Sequence, residues 1–219
     1  MPRVCGAFFL SLGRFIEQRR PAPLSAGGER AVASRIWHGW SVVPASLQQR
    51  AARLAETVPA IPGRVHEMGR FEDEPGQRAL AASLPEPLAA ALRPKFEWYG
   101  CRGAGFHTDA HYPAVLFGAW CLAGPVRDIV FAGGGPRLPC AASGLVVFDP
   151  FLPHAVLDPG EAHYDRGRYD GAAASVFVGF ELDLTGPARE AFGIGAAEPG
   201  AFAIGSATAV NAETGDLAR

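Results

Sequence analysis

The stretch Phe106-His107-Thr108-Asp109-Ala110-His111 sets a histidine and an aspartate two residues apart. On an extended chain those two side chains fall on the same face. A lone histidine, His154, follows 45 residues after Asp109, behind the apolar run Gly144-Leu145-Val146-Val147-Phe148 and the turn Asp149-Pro150-Phe151-Leu152-Pro153. If that turn returns the chain beside His107, the three residues offer two neutral imidazoles and one carboxylate to a single divalent ion. Such a set takes one face of an octahedral metal and leaves the other open, the arrangement by which non-haem Fe(II) binds a cosubstrate and O₂ together. An H-x-D by itself is a weak signal. Its place after a strand and a Gly-rich turn, and the second histidine behind a strand, strengthen it. The competing reading is a surface turn with a His–Asp hydrogen bond and a satisfied core histidine at 154. His111 would share the strand face of His107 and is expected at a pocket mouth, or in solvent where the strand has ended.

These residues need a frame, and the chain from Lys95 onward has the composition of one. Residues 96–101, 104–108, 115–122, 128–131, 145–148, 154–157 and 174–184 are short apolar runs bounded by Gly, Pro and Asp. Strands at this spacing predict a double-stranded β-helix or jelly-roll barrel. Upstream, residues 4–12 and 32–43 read as strands separated by the Pro/Gly-rich segment 21–28. Ser46 with Gln49 makes a capping-box signature, and Leu47, Ala51, Leu54, Ala55 and Val58 follow at helical spacing, predicting a helix over about 44–58. The polar patch 72–76 interrupts, and a second helical region carries Leu80, Leu84, Leu88 and Leu92 until Pro94 stops it. The expected fold class is mainly β with flanking helices, in one domain spanning 1–219. Residues 1–95 supply strands and supporting helices, 96–184 the metal-binding core, and 185–219 an Ala/Gly-rich tail expected to cross the surface.

Composition narrows the partners. A 48% apolar and 19% charged chain is that of an ordinary globular protein. With 20 basic and 22 acidic residues scattered along it, it has no electrostatic footprint for nucleic acid. The apolar run 4–12 is too short to span a bilayer and lacks a cleavage site, so neither a membrane anchor nor a signal peptide is expected. Cys5, Cys101, Cys121 and Cys140 contain no C-x-x-C and read as buried thiols in a reducing, cytoplasmic compartment, with a disulfide as the alternative.

The order Tyr99-Gly100-x-x-Gly103-x-x-x-His107-x-Asp109, then Asp128-Ile129-Val130-Phe131, then Gly144 to Pro150 leading to His154-Ala155-Val156, resembles the core of the Fe(II)- and 2-oxoglutarate-dependent oxygenases, particularly the prolyl-hydroxylase-like group. The resemblance covers residues 96–183. It implies His107, Asp109 and His154 as iron ligands, Fe(II), 2-oxoglutarate and O₂ as cofactor and cosubstrates, and hydroxylation of a C–H of a small molecule or amino-acid side chain. Asp109 fills a position that a halogenating relative leaves open, which disfavours halogenation. In that family a basic residue about ten positions after the distal histidine pairs with the far carboxylate of 2-oxoglutarate. Here that position is Tyr164, and the basic residues come later. Arg168 is the expected anchor, Arg166 the next candidate, with Arg102 and Arg127 as the choices if the anchor sits on another strand. Tyr99 is expected to line the site.

Two other readings compete: a cupin-like metal-dependent dioxygenase or isomerase that does not use 2-oxoglutarate, and a non-catalytic jelly-roll binding module. His107, Asp109 and His111 fit the cupin pattern poorly, because that pattern wants two histidines followed by a Glu. The Gly133-Gly134-Gly135 run lacks the Lys and Ser spacing of a phosphate loop and reads as a tight turn. The substrate and the oligomeric state are not encoded in any motif.

Overall fold

A computed structural model of the chain describes residues 13–18, 20 and 22–218. The strand expected over 4–12 lies outside them. In chain order the elements are β1 (Arg14–Glu17), β2 (Leu24–Ala26), β3 (Arg30–Ala31), β4 (Arg35–Trp40), α1 (Ala45–Ala55), β5 (Val65–Phe71), α2 (Glu74–Ser83) and α3 (Glu86–Ala89). The second half comprises β6 (Leu92–Cys101), β7 (Ala104–His107), β8 (Val115–Ala123), β9 (Arg127–Phe131), β10 (Arg137–Cys140), β11 (Gly144–Phe148), β12 (His154–Leu157), β13 (Ser175–Asp183), α4 (Gly186–Ala191) and β14 (Phe202–Ile204).

The chain is mostly β. Among the described residues a seven-stranded sheet runs β1-β4-β11-β8-β13-β6-β5 and a four-stranded sheet runs β10-β9-β12-β7, both antiparallel. A small third sheet, β14-β2-β3, ties the two ends of the chain together, with β14 parallel to β2.

Alternation decides which side chains meet. On one face of the large sheet, Trp98, Trp120, Val178 and Phe180 pack with Leu47 and Ala51 of α1, Leu80 of α2 and Leu88 of α3. On its other face, Tyr99, Phe117, Phe148 and Phe177 meet Ile129, Phe131 and Val156 of the small sheet. Strands such as β8 and β11 are buried on both faces, which accounts for their unbroken apolar sequences. The turn from β6 to β7 depends on Gly103, whose φ of 86° and close approach to the Tyr169 ring leave no room for a side chain.

Local signals were realised with shifts. Helix α1 starts behind Pro44 without a side-chain cap, so Ser46 lies inside its first turn rather than before it. The patch around residues 72–76, expected to precede the second helical region, already contains that helix's start: Asp73 caps α2 by accepting from Gly76 N at 2.7 Å. Pro85, in an extended conformation, separates α2 from α3, and Leu92 already belongs to β6. The tail is partly structural, because β14 pairs with β2 and the Ala212 carbonyl accepts from Phe106 N at 2.8 Å on the edge of β7. Cys121 and Cys140 form a disulfide between the two sheets, correcting the expectation of thiols there. Their strands face each other across the interior, a proximity that cysteine spacing does not reveal. Cys101 is a buried thiol. No helix is long and apolar enough to cross a membrane among the described residues.

Candidate metal centre

His107 ends β7 and His154 begins β12, and the two are direct partners across that antiparallel pair. Asp109 follows in a tight turn, its N–H donating to the Pro150 carbonyl at 2.8 Å and its carbonyl accepting from Tyr112 N at 3.0 Å. The Nε2 atoms of His107 and His154 lie 3.9 and 3.6 Å from the Asp109 carboxylate oxygens. One ligand atom from each of the three residues falls within 4.8 Å of the others, as donors around one ion must. Both imidazoles are oriented from behind. His107 Nδ1 lies 2.8 Å from the Gly105 carbonyl and His154 Nδ1 2.9 Å from that of Leu152. A proton on each Nδ1 leaves each Nε2 lone pair facing the carboxylate, the tautomer a metal requires. Burial and the neighbouring His107 push the pKa of His154 down to about 4, so it is a neutral ligand near pH 7. Phe148, with its ring centroid 4.6 Å from that of His154, supplies much of the dry surroundings. Two neutral imidazoles and one carboxylate fit a divalent ion.

The trio opens into a cavity of about 360 Å³. Arg64, Glu67, His111 and Tyr112 stand at its solvent side, while Arg127 and Ser175 line its buried end at 2% and 6% exposure. Arg127 shares the inward face of β9 with Ile129 and Phe131, in line with Val156 and His154 of β12. Its guanidinium donates to Ser175 Oγ at 2.7 Å, Asp158 Oδ1 at 3.1 Å and the Ala173 carbonyl at 2.9 Å. Arginine carries five N–H donors, so two remain beyond these three contacts.

The other residues singled out from the sequence are distributed differently. Tyr99 lines the cavity, stacked on Phe177 with its hydroxyl donating to Glu97 at 3.1 Å. His111 reaches the cavity mouth and stands apart from the trio. Arg166 and Arg168 are not brought to the cavity. The chain between β12 and β13 makes an excursion with a 3-10 turn at Arg166–Tyr169, and the exposed Arg168 pairs there with Glu161. Arg102 is held by the Val58, Pro59 and Ala172 carbonyls, away from the cavity lining. Ser175 was not anticipated from the sequence. The signal that could have found it is its position opening the inward face of β13, in phase with Phe177.

No protein-family model and no curated protein sequence matches the chain. Among solved structures, a prolyl-4-hydroxylase from Pseudomonas putida superposes with a TM-score of 0.42 at 15% identity, covering 68% of this chain and 93% of that one. A 2OG-Fe(II) oxygenase family oxidoreductase from Burkholderia pseudomallei superposes with a TM-score of 0.32 at 13% identity, covering 75% and 74%. Neither similarity is close enough to assign a family.

Proposed function

We propose that the chain is an Fe(II)- and 2-oxoglutarate-dependent oxygenase that hydroxylates an unactivated C–H of a small molecule or amino-acid side chain, on a single double-stranded β-helix domain. The observation that carries the reading is that a convergent two-histidine, one-carboxylate trio and a buried arginine share one cavity. His107, Asp109 and His154 would hold the iron, whose open face supplies the O₂ chemistry when it is bound. The motifs of residues 96–183 resemble that family independently of the superpositions.

A dicarboxylate lying in this cavity needs a charge-assisted partner at its buried end. Arg127 supplies one, and Ser175 adds a hydroxyl beside it. In this reading Arg127 takes the role that chain spacing suggested for Arg168. The Asp158 carboxylate is about half exposed, so it can turn to water when a second carboxylate approaches the guanidinium. Ile129, Val156, Phe148 and Phe177 line the wall between the two ends with apolar surface, whose low dielectric strengthens each polar contact within. Substrate would enter past Tyr112, Arg64 and Glu67.

The test supplies Fe(II), 2-oxoglutarate, ascorbate and O₂ and follows succinate, alongside anaerobic titration of the Fe(II) protein with 2-oxoglutarate. Binding with succinate formation is expected. Absence of both, in protein that retains iron, sinks the 2-oxoglutarate reading and leaves a metal enzyme of another kind.

A further inference from the structure

We infer that Arg30, a residue of the small terminal sheet, is a positioning residue of the metal centre, acting through Asp149. The inference rests on the reading of His107, Asp109 and His154 as metal ligands.

Arg30 lies 119 residues before Asp149. Its guanidinium makes a two-pronged contact, Nη1 to Oδ2 at 2.6 Å and Nη2 to Oδ1 at 3.1 Å. The same carboxylate accepts from Ala33 N at 2.9 Å and Phe151 N at 3.2 Å. Asp149 is fully buried, and Arg30 lies over the Phe151 ring at 5.2 Å. Three donors from the distant segment 30–33 and one from within the turn therefore fix the start of the turn 149–153.

That turn holds two of the three ligands. Its Pro150 carbonyl takes the backbone N–H of Asp109, and its Leu152 carbonyl sits 2.9 Å from Nδ1 of His154. A shift of the turn would move the carboxylate ligand and rotate the buried imidazole together. A buried ion pair contributes little net stability, because desolvation offsets the attraction, whereas its fork geometry specifies position closely. This separates a positioning role from a merely structural one: metal affinity should respond far more than fold stability.

The experiment titrates metal-free protein with Co(II), followed by its visible absorption, and measures thermal unfolding of the same metal-free samples. Arg30→Lys keeps the charge and loses the fork. We expect its Co(II) affinity to fall at least about tenfold, the range seen when outer-shell partners of metal ligands are altered. Its Co(II) absorption should also change shape, with metal-free unfolding within a few degrees of wild type. Arg102→Lys, which alters a comparably hydrogen-bonded arginine away from the trio, is expected to bind Co(II) as wild type does. The double variant Arg30→Met with Asp149→Asn removes both charges and keeps an acceptor for Ala33 N, so it tests the point if the single variant does not fold. Wild-type affinity and absorption in a folded variant overturn the inference, as does failure of both variants to fold, which would make the pair structural. A wild-type protein that binds no Co(II) removes the metal-centre reading instead.

Discussion

Arg127 and Ser175 meet at 2.7 Å although they come from different sheets, one opening β9 and the other β13. The contact closes the buried end of the cavity and predicts where a far carboxylate is held. Arg127→Met should weaken 2-oxoglutarate binding at least about 30-fold, since loss of a buried charge-assisted contact is worth about 2 kcal/mol or more. Ser175→Ala should cost about tenfold. Arg168→Ala should stay within about twofold, because its pair with Glu161 is exposed. Calorimetric titration of the metal-loaded protein gives all three. Equal losses at Arg168 and Arg127 would remove the assignment.

Acid should destabilise the metal-free protein through its buried histidines. His154 has a folded pKa of about 4 because burial disfavours the imidazolium and His107 lies beside it. The half-buried His38 is lowered too, chiefly by burial. Below about pH 6.5 the unfolded chain takes up protons that the folded chain refuses. Stability is therefore full above that value and is lost as pH falls toward 4, by on the order of 3 kcal/mol for His154. Urea unfolding at pH 7 and 4.5 measures the slope. His154→Gln should flatten it, and an unchanged slope in that variant refutes the attribution.

The disulfide between Cys121 and Cys140 joins β8 to the edge strand β10 over a separation of 19 residues. Closing a loop of that size stabilises by about 3 kcal/mol in the chain-entropy account. A Cys121→Ser, Cys140→Ser double variant should unfold several degrees lower, and a dithiol should lower the wild type toward it. Alkylation of denatured, unreduced protein should leave both residues unlabelled. Labelling of both would show that the bond does not form. The reading of a reducing compartment rested on free thiols, and this pairing removes that ground.

Much of the core was legible because its strands carry their own signal. Residues 115–122 and 145–148 are apolar on both faces, and the turn from Asp149 to His154 is marked by two prolines. β5 was missed because it is an edge strand whose polar, irregular sequence Val65-His66-Glu67-Met68-Gly69-Arg70-Phe71 carries a register shift between Glu67 and Arg70. β10 was hidden by Pro139. The pairing of Phe202 with Leu24 joins opposite ends of the chain and leaves no local trace. Counting along the chain favoured Arg168 as anchor, but the excursion before β13 spends those residues at the surface. Strand phase instead brings Arg127 to the cavity, since Arg127, Ile129 and Phe131 alternate on the face that meets His154, and the anchor is proposed there.

Gly179 bears on the cavity without touching His107, Asp109 or His154. A Cβ at this position of β13 would lie 2.3 Å from Tyr99 Cε2 and 2.9 Å from Phe117 Cζ. The missing side chain is what lets the Tyr99 ring stack on Phe177 at 5.6 Å and meet Phe117 edge-on at 5.9 Å. Gly179→Ala should force Tyr99 to move, destabilising the protein by about 1–3 kcal/mol as overpacking does. Tyr99 lines the cavity, so 2-oxoglutarate or substrate affinity should change with it. Tyr99→Leu removes the ring edge that the new methyl would strike, and the double variant should be less destabilised than the sum of the singles. Unfolding midpoints of the four proteins close the cycle. Strict additivity would mean that the tyrosine already gives way elsewhere, and that the glycine is not what shapes this wall.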